Sequence, residues 1–158
     1  MTINISQSRQ HVAAFLQANP VGVLATTTLT NKPHAAAVYI VADDLLNLYF
    51  ITKQDTQKNR NLSANHQVAL AAYNADSQTT LQTEGTVEIV TDAEHRNQIF
   101  ADISNIALRI SKSGVPPTAR LIAGAYIVYK LTPSSMRLAS FSQPQPGAYD
   151  QIFETVET

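Results

Sequence analysis

The sequence predicts a mainly β domain, an antiparallel barrel-like sheet with helices at its edges. Three observations carry this expectation. Short β-branched runs recur at residues 21–28 (VGVLATTT), 34–41 (HAAAVYIV), 46–52 (LNLYFIT), 67–73 and 79–90, each bounded by turn residues. The first three are joined by tight turns and read as an antiparallel meander. Helical signals are confined to three segments that precede, separate or follow these runs.

The first helix spans residues 6–18, capped by Ser6 or Ser8, with Val12, Phe15 and Leu16 on one face. Asn19-Pro20 stops it, because the residue before a proline is pushed out of the helical region. Thr30-Asn31-Lys32-Pro33 and Asp43-Asp44 supply the next two turns. A polar stretch follows, with Asp55 or Thr56 as a cap and Leu62 as its one apolar anchor. Its helix is expected over residues 57–64, with Asn65 as the stop. Gly85 interrupts the run 79–90, which suggests a bulge or a close backbone approach. Asp92 caps the longest helix, where Ile99, Ile103, Ile106 and Ile110 recur at spacings of four, three and four. That helix fails near Ser111, and Ser113-Gly114-Val115-Pro116-Pro117 is loop. Two last strands, 124–131 and 136–141, are expected to hinge at Thr132-Pro133. Residues 143–158 read as a loosely ordered tail of a single domain, 1–158.

Composition excludes several function classes. A chain of 158 residues buries about 70% of its unfolded surface, so a core without staples is available. Charged residues are 15%, against about 25% in an ordinary domain, and the net charge is −1. That balance gives no electrostatic footprint for nucleic acid. Zero cysteines exclude disulfides, thiolate metal sites and a cysteine nucleophile. No apolar run approaches the ~20 residues of a membrane span, and the first ten residues lack a secretory layout. The sequence thus reads as a soluble cytoplasmic protein.

Catalytic signatures are absent: no nucleophile elbow, no phosphate-binding glycine loop, no dinucleotide fingerprint. His11, His34, His66 and His95 fall on different predicted elements without metal-ligand spacing, so no metal site is expected. Asp43-Asp44 and Glu84/Glu88 read as turn and solvent-face carboxylates. Residues 52–61 (TKQDTQKNRN) differ, because they join a strand end to a helix start. Unpaired amides and the helix dipole favour an anion there. Lys58 in the first helical turn opposes that dipole, and a bound phosphate would stabilise it; a lysine reaching into solvent is the alternative.

From Gly22 to Gly85 the order is LATTT, a turn, KPHAAAVYIV, an acidic turn, LYFIT, four residues, QKNRNLSANHQVAL, then LQTEG. This order resembles the flavin-binding split barrel of the pyridoxamine 5′-phosphate oxidase-like superfamily. Pro33, Thr52, Lys58, Asn61-Leu62 and Gly85 stand at the positions that carry the likeness, and GAYIVYKLTP is similar to the late strand of its small members. The resemblance implies a split antiparallel β-barrel with FMN as cofactor, commonly completed by a second subunit, hence a homodimer. It implies that Ala36, Ala37 and Val38 lie along the isoalloxazine and that Ile51 and Thr52 meet the ring and the ribityl-phosphate arm. Thr56, Gln57 and Lys58 would take the phosphate, and Thr80 and Gln82 would reach the polar edge of the ring.

Two departures qualify the likeness. The pyridoxamine phosphate oxidases place arginines where Ala36 and Gln57 stand, and they end in a Trp- and Arg-bearing segment that this chain lacks. Vitamin B6 oxidase activity is therefore not expected. Arg120, in the loop 113–121, is proposed as a replacement cation on a segment that closes over the cofactor, with Arg60 as another substitute; an inert surface connection with Arg120 in water is the alternative. The resulting expectation is an FMN-dependent oxidoreductase acting on an unidentified small molecule, with the redox chemistry carried by the flavin. The alternatives are a non-catalytic, stress-related protein that binds flavin, deazaflavin or haem, and a binding barrel without redox cofactor. No interaction with nucleic acid or membrane is implied.

Overall fold

Helix α1 (Ile5–Ala18) buries Val12, Phe15 and Leu16, and ends where the Asn19 amide and side chain both donate to the Phe15 carbonyl. The structure, a computed structural model, describes residues 5–111, 126–141 and 153–156. The loop 113–121, with Arg120, and the expected strand start at Gly124 lie outside the described residues.

Strand β1 (Val21–Thr27) buries its even residues and exposes Val21, Val23 and Ala25, so one sheet face looks inward and the other outward. Strand β2 (Pro33–Tyr39) pairs antiparallel with β1, and Ile40 links it to the two-residue strand β3 (Val41–Ala42). The Asp43 carboxylate folds the next turn by accepting from the Leu45 and Asn47 amides, the Asn47 side chain and the Tyr49 hydroxyl. Strand β4 (Leu48–Lys53) returns along β3 and leads into helix α2 (Gln57–Ala64). Then come β5 (Gln67–Asn74), β6 (Thr79–Ile89) and helix α3 (Ala93–Ile110), whose N-cap Asp92 accepts from the His95 amide. Strands β7 (Tyr126–Ser140) and β8 (Phe153–Val156) complete the sheet.

The strand order is β2-β1-β5-β6-β7-β4-β3, with β8 also on β7. The expected meander holds at both tight turns, β1 with β2 and β3 with β4, but not along the strands: beyond Val41↔Tyr49, β4 does not pair with β2 and crosses to β7. A second correction concerns the end of the chain. Instead of two strands hinged at Thr132-Pro133, β7 is continuous over Tyr126–Ser140. Its register on β6 runs Gly85↔Pro133 and then Glu84↔Ser135, leaving Ser134 as the extra residue of a β-bulge. The bulge tolerates the missing proline N–H. It also reverses the inward parity, so Tyr129 and Leu131 face the core before it and Met136 and Leu138 after it. Gly85 is required there, since a Cβ would meet the Thr132 carbonyl oxygen at 2.2 Å. The length of β7 gives it two partners on its other edge, β4 and then β8. Residues 153–156, read from sequence as part of the loose tail, thus form a strand whose Val156 is buried.

The barrel interior holds Leu24, Phe50, Leu70, Leu81, Leu131 and Met136 among its fully buried side chains. Phe50 and Tyr129, opposite each other in register, stack with ring centroids 5.6 Å apart. Helix α1 belongs to this core, and His11 Nδ1 reaches Glu154 Oε2 of β8 at 2.9 Å. Helix α3 covers the outer side of the sheet instead, placing Ile99 and Ile103 on Tyr49 and Val128. No helix among the described residues is long and apolar enough to cross a membrane.

Candidate functional site

The junction between β4 and α2 is built from hydroxyls. The N-cap Thr56 accepts from the Asn59 amide at 3.2 Å and donates to the Lys53 carbonyl at 2.9 Å. Its Oγ1 lies 2.9 Å from that of Thr52, and the Thr52 hydroxyl also reaches the Lys53 carbonyl, at 3.4 Å. Three asparagines hold the helix in place. Asn59 donates to the Gln54 carbonyl and accepts from the Tyr129 hydroxyl, each at 2.8 Å. Asn61 Nδ2 donates to Thr26 Oγ1, and Asn65 Nδ2 to Thr27 Oγ1. With Leu62 fully buried, α2 is fixed on β1 and β7 despite its polar sequence.

Lys58 projects from the first turn of this fixed helix into a cleft of about 520 Å³. Its ammonium has neither a hydrogen bond nor an ion pair among the described residues. Burial pushes its pKa below the usual lysine value. The end of the cleft is therefore cationic, with no acidic partner for Lys58 among the described residues.

The cleft itself is a ladder that does not form. The pairing of β3 with β4 runs Ala42↔Leu48 and Val41↔Tyr49. Two residues further, the same register would set Tyr39 against Ile51, and then Ala37 against Lys53. Those pairs are absent, because β2 follows β1 while β4 follows β7. The Ile40 amide donates to Pro20, which makes the even residues of β2 the ones bonded to β1. The backbone groups of Ala37 and Tyr39 consequently turn toward the gap. The Asp43 amide donates to Asn47, and the same alternation turns the groups of Ile51 and Lys53 toward it from the other side. Val21, Ile103 and Ile110 close the cleft with apolar surface.

Of the residues expected from the sequence, Ala37, Val38, Ile51, Thr52, Thr56 and Lys58 line this cleft. Ala36 lies in the same strand, half-buried, on the inward-facing side of the alternation. Gln57 is exposed and committed elsewhere, its Nε2 donating to Asn61 Oδ1 and its Oε1 accepting from Arg60. Arg60 also donates to the Asp55 carbonyl. Thr80 and Gln82 lie on β6, three strands from β2, and Gln82 faces a shallow hollow of about 350 Å³ on the outer sheet face. Sequence reasoning missed Val21, Tyr39, Lys53, Ile103 and Ile110. The isoleucines were visible in the helical stripe, but the stripe has two jobs: Ile103 packs on the sheet and also borders the cleft.

Residues 8–139 match the family model described as pyridoxamine 5′-phosphate oxidase. Among solved structures, general stress protein 26 from Bacillus anthracis is similar with a TM-score of 0.63 at 21% identity, over 82% of this chain and 92% of that one. A pyridoxamine 5′-phosphate oxidase-related, FMN-binding protein from Nostoc punctiforme gives 0.66 at 14% identity, over 96% and 91%. A heme-binding protein from Mycobacterium smegmatis gives 0.64 at 16%, over 98% of this chain and 58% of that one. No curated protein matches the sequence.

Proposed function

The chain belongs to the pyridoxamine 5′-phosphate oxidase family, and on that premise we propose that it binds FMN between β2 and β4 and acts as a cytoplasmic, flavin-dependent oxidoreductase on a small molecule. The observation that supports this reading is the unformed ladder ending at Lys58. A planar heterocycle with alternating donors and acceptors can satisfy backbone groups at both sheet edges, and apolar side chains cover its faces. The cationic end suits the phosphate, where the first-turn amides of α2 lack intrahelical partners. FMN, when bound, supplies the hydride and electron chemistry; the chain supplies position and charge. Haem fits less well. Neither His, Cys nor Met lines the cleft among the described residues.

The working unit in this proposal is a homodimer formed through the outer sheet face. Ala37, Val23 and Ala71 align across three strands, as do Ala35, Ala25 and Ala69. Val23 is 49% exposed and Tyr73 61% exposed, an apolar surface of the kind that marks an interface. Val21 belongs to both this face and the cleft, so a copy docked here would border the cleft. Thr80 and Gln82 would then serve the cleft of the other copy. Vitamin B6 oxidase activity is not part of the proposal, since alanine and glutamine stand at positions 36 and 57.

An absorption spectrum of the purified protein tests the cofactor. A yellow colour that bleaches with a reductant and returns in air is the expected result. A colourless protein that gains no bound FMN on titration overturns the reading.

A further inference from the structure

Helix α3 carries a second face, separate from the one that borders the cleft. Asp102, Asn105, Ile106 and Arg109 fall at i, i+3, i+4 and i+7, one stripe two turns long. The stripe forms one wall of a groove of about 780 Å³, whose other wall is the flank of α1 at Ala13 and Ala14, with Arg9 of α1 and the Asp43–Asp44 turn also lining it. Small residues there leave room for another helix to approach closely.

The charges on the stripe are arranged antisymmetrically. Asp102 stands at one end and Arg109 at the other, a rise of about 10.5 Å apart, too far to pair with each other. Arg109 has no acid three or four residues before it, where Asn105 and Ile106 stand. It makes no ion pair or hydrogen bond among the described residues. Asp102 accepts from Gln98 through Oδ1, which leaves Oδ2 open. Rotated by a two-fold axis, this pattern is its own complement.

We propose that α3 packs antiparallel on α3 of a second copy, with Asp102 facing Arg109 of the partner subunit on both sides of an axis beside Asn105. Each helix then enters the groove beside the other, against the alanines of α1. The contact is distinct from the outer sheet face and does not depend on the flavin proposal. Two helical turns bury less than the ~800 Å² per partner of a standard interface, so the association is weak. Its ion pairs lie on the surface and weaken with salt.

The absence of native cysteine makes the test direct. Asn105→Cys in the full chain, oxidised with copper-phenanthroline, should give a covalent dimer on a non-reducing gel. Leu108→Cys, on another flank of α3 and 61% exposed, should give at least fivefold less. Adding Arg109→Asp to Asn105→Cys should lower the yield at least fivefold, and adding Asp102→Arg as well should restore it. Raising the salt should also lower the yield. All these positions are half-buried or exposed, and unchanged thermal melts confirm folding. Equal crosslinking at positions 105 and 108, or indifference to charge reversal, overturns the proposal. Placing Asn105→Cys in an Ala71→Glu background separates the two interfaces. Persistence of the crosslink there supports the α3 contact, and its disappearance assigns the crosslink to the sheet face and refutes it.

Discussion

Asn61 Nδ2 donates to Thr26 Oγ1 across 2.9 Å, joining helix α2 to strand β1 over a separation of 35 residues. Both side chains are buried, and Asn61 also accepts from Gln57 at 2.8 Å. Asn61→Ala leaves Thr26 with an unsatisfied hydroxyl, at a cost of about 1–3 kcal/mol. Urea denaturation should register that loss. FMN affinity should fall as well, because α2 carries Lys58.

Lys58→Ala should weaken FMN binding by about tenfold to a hundredfold, the worth of a charge-assisted hydrogen bond of roughly 1.5–3 kcal/mol. Riboflavin, which lacks the phosphate, should be little affected. Comparing the two ligands by fluorescence titration checks the assignment, and equal losses for both would remove it.

The same lysine sets a pH dependence. Burial lowers its pKa in the free protein, and a bound phosphate raises it again. Between those two values, binding takes up a proton. FMN affinity should therefore hold at neutral pH and fall as pH rises through the free-protein value, by up to about tenfold per unit. Lys58→Gln should flatten that slope in titrations at a series of alkaline pH values.

Gly85→Ala drives a methyl group into the Thr132 carbonyl at 2.2 Å and the Pro133 Cα at 2.9 Å. Neither neighbour is a flexible side chain, so the backbone must move, at a cost of about 3 kcal/mol. A large drop in the denaturation midpoint is expected. Wild-type stability would mean that the bulge can relocate.

Ala71 sits at the centre of the outer face, between Val23 and Gln82 in register. Ala71→Glu should convert a particle of twice 17.2 kDa into one of 17.2 kDa by light scattering. A wild-type protein already at the lower mass would remove the sheet-mediated dimer.

Local features were readable in the sequence. Thr56 and Asp92 are N-caps where their side chains suggested, and α2 has the expected limits. Gly85 marks the bulge. What escaped was decided by distant parts of the chain. The pairing of β4 with β7 depends on strands far apart in sequence, whereas tight turns suggested neighbours. Thr132-Pro133 read as a break because proline removes a ladder donor, but the bulge opposite Gly85 absorbs it. The structural roles of Asn59 and Asn61 were not legible, since nothing local announces that the Tyr129 hydroxyl donates to Asn59 or that Asn61 donates to the buried Thr26. Within the cleft, the strand and helix-start positions were legible. Tyr39 and Lys53 became visible only once the register showed which rungs were missing.

The missing rungs also bear on how the empty protein behaves in a crowded cell. Unpaired strand edges are templates for foreign strands, and folded proteins normally blunt them. Here two such edges, around Tyr39 and Ile51, face each other across one opening. An occupant that binds both edges would act as a stopper against polymerisation. Supply of the occupant during synthesis would then govern how much protein stays in solution.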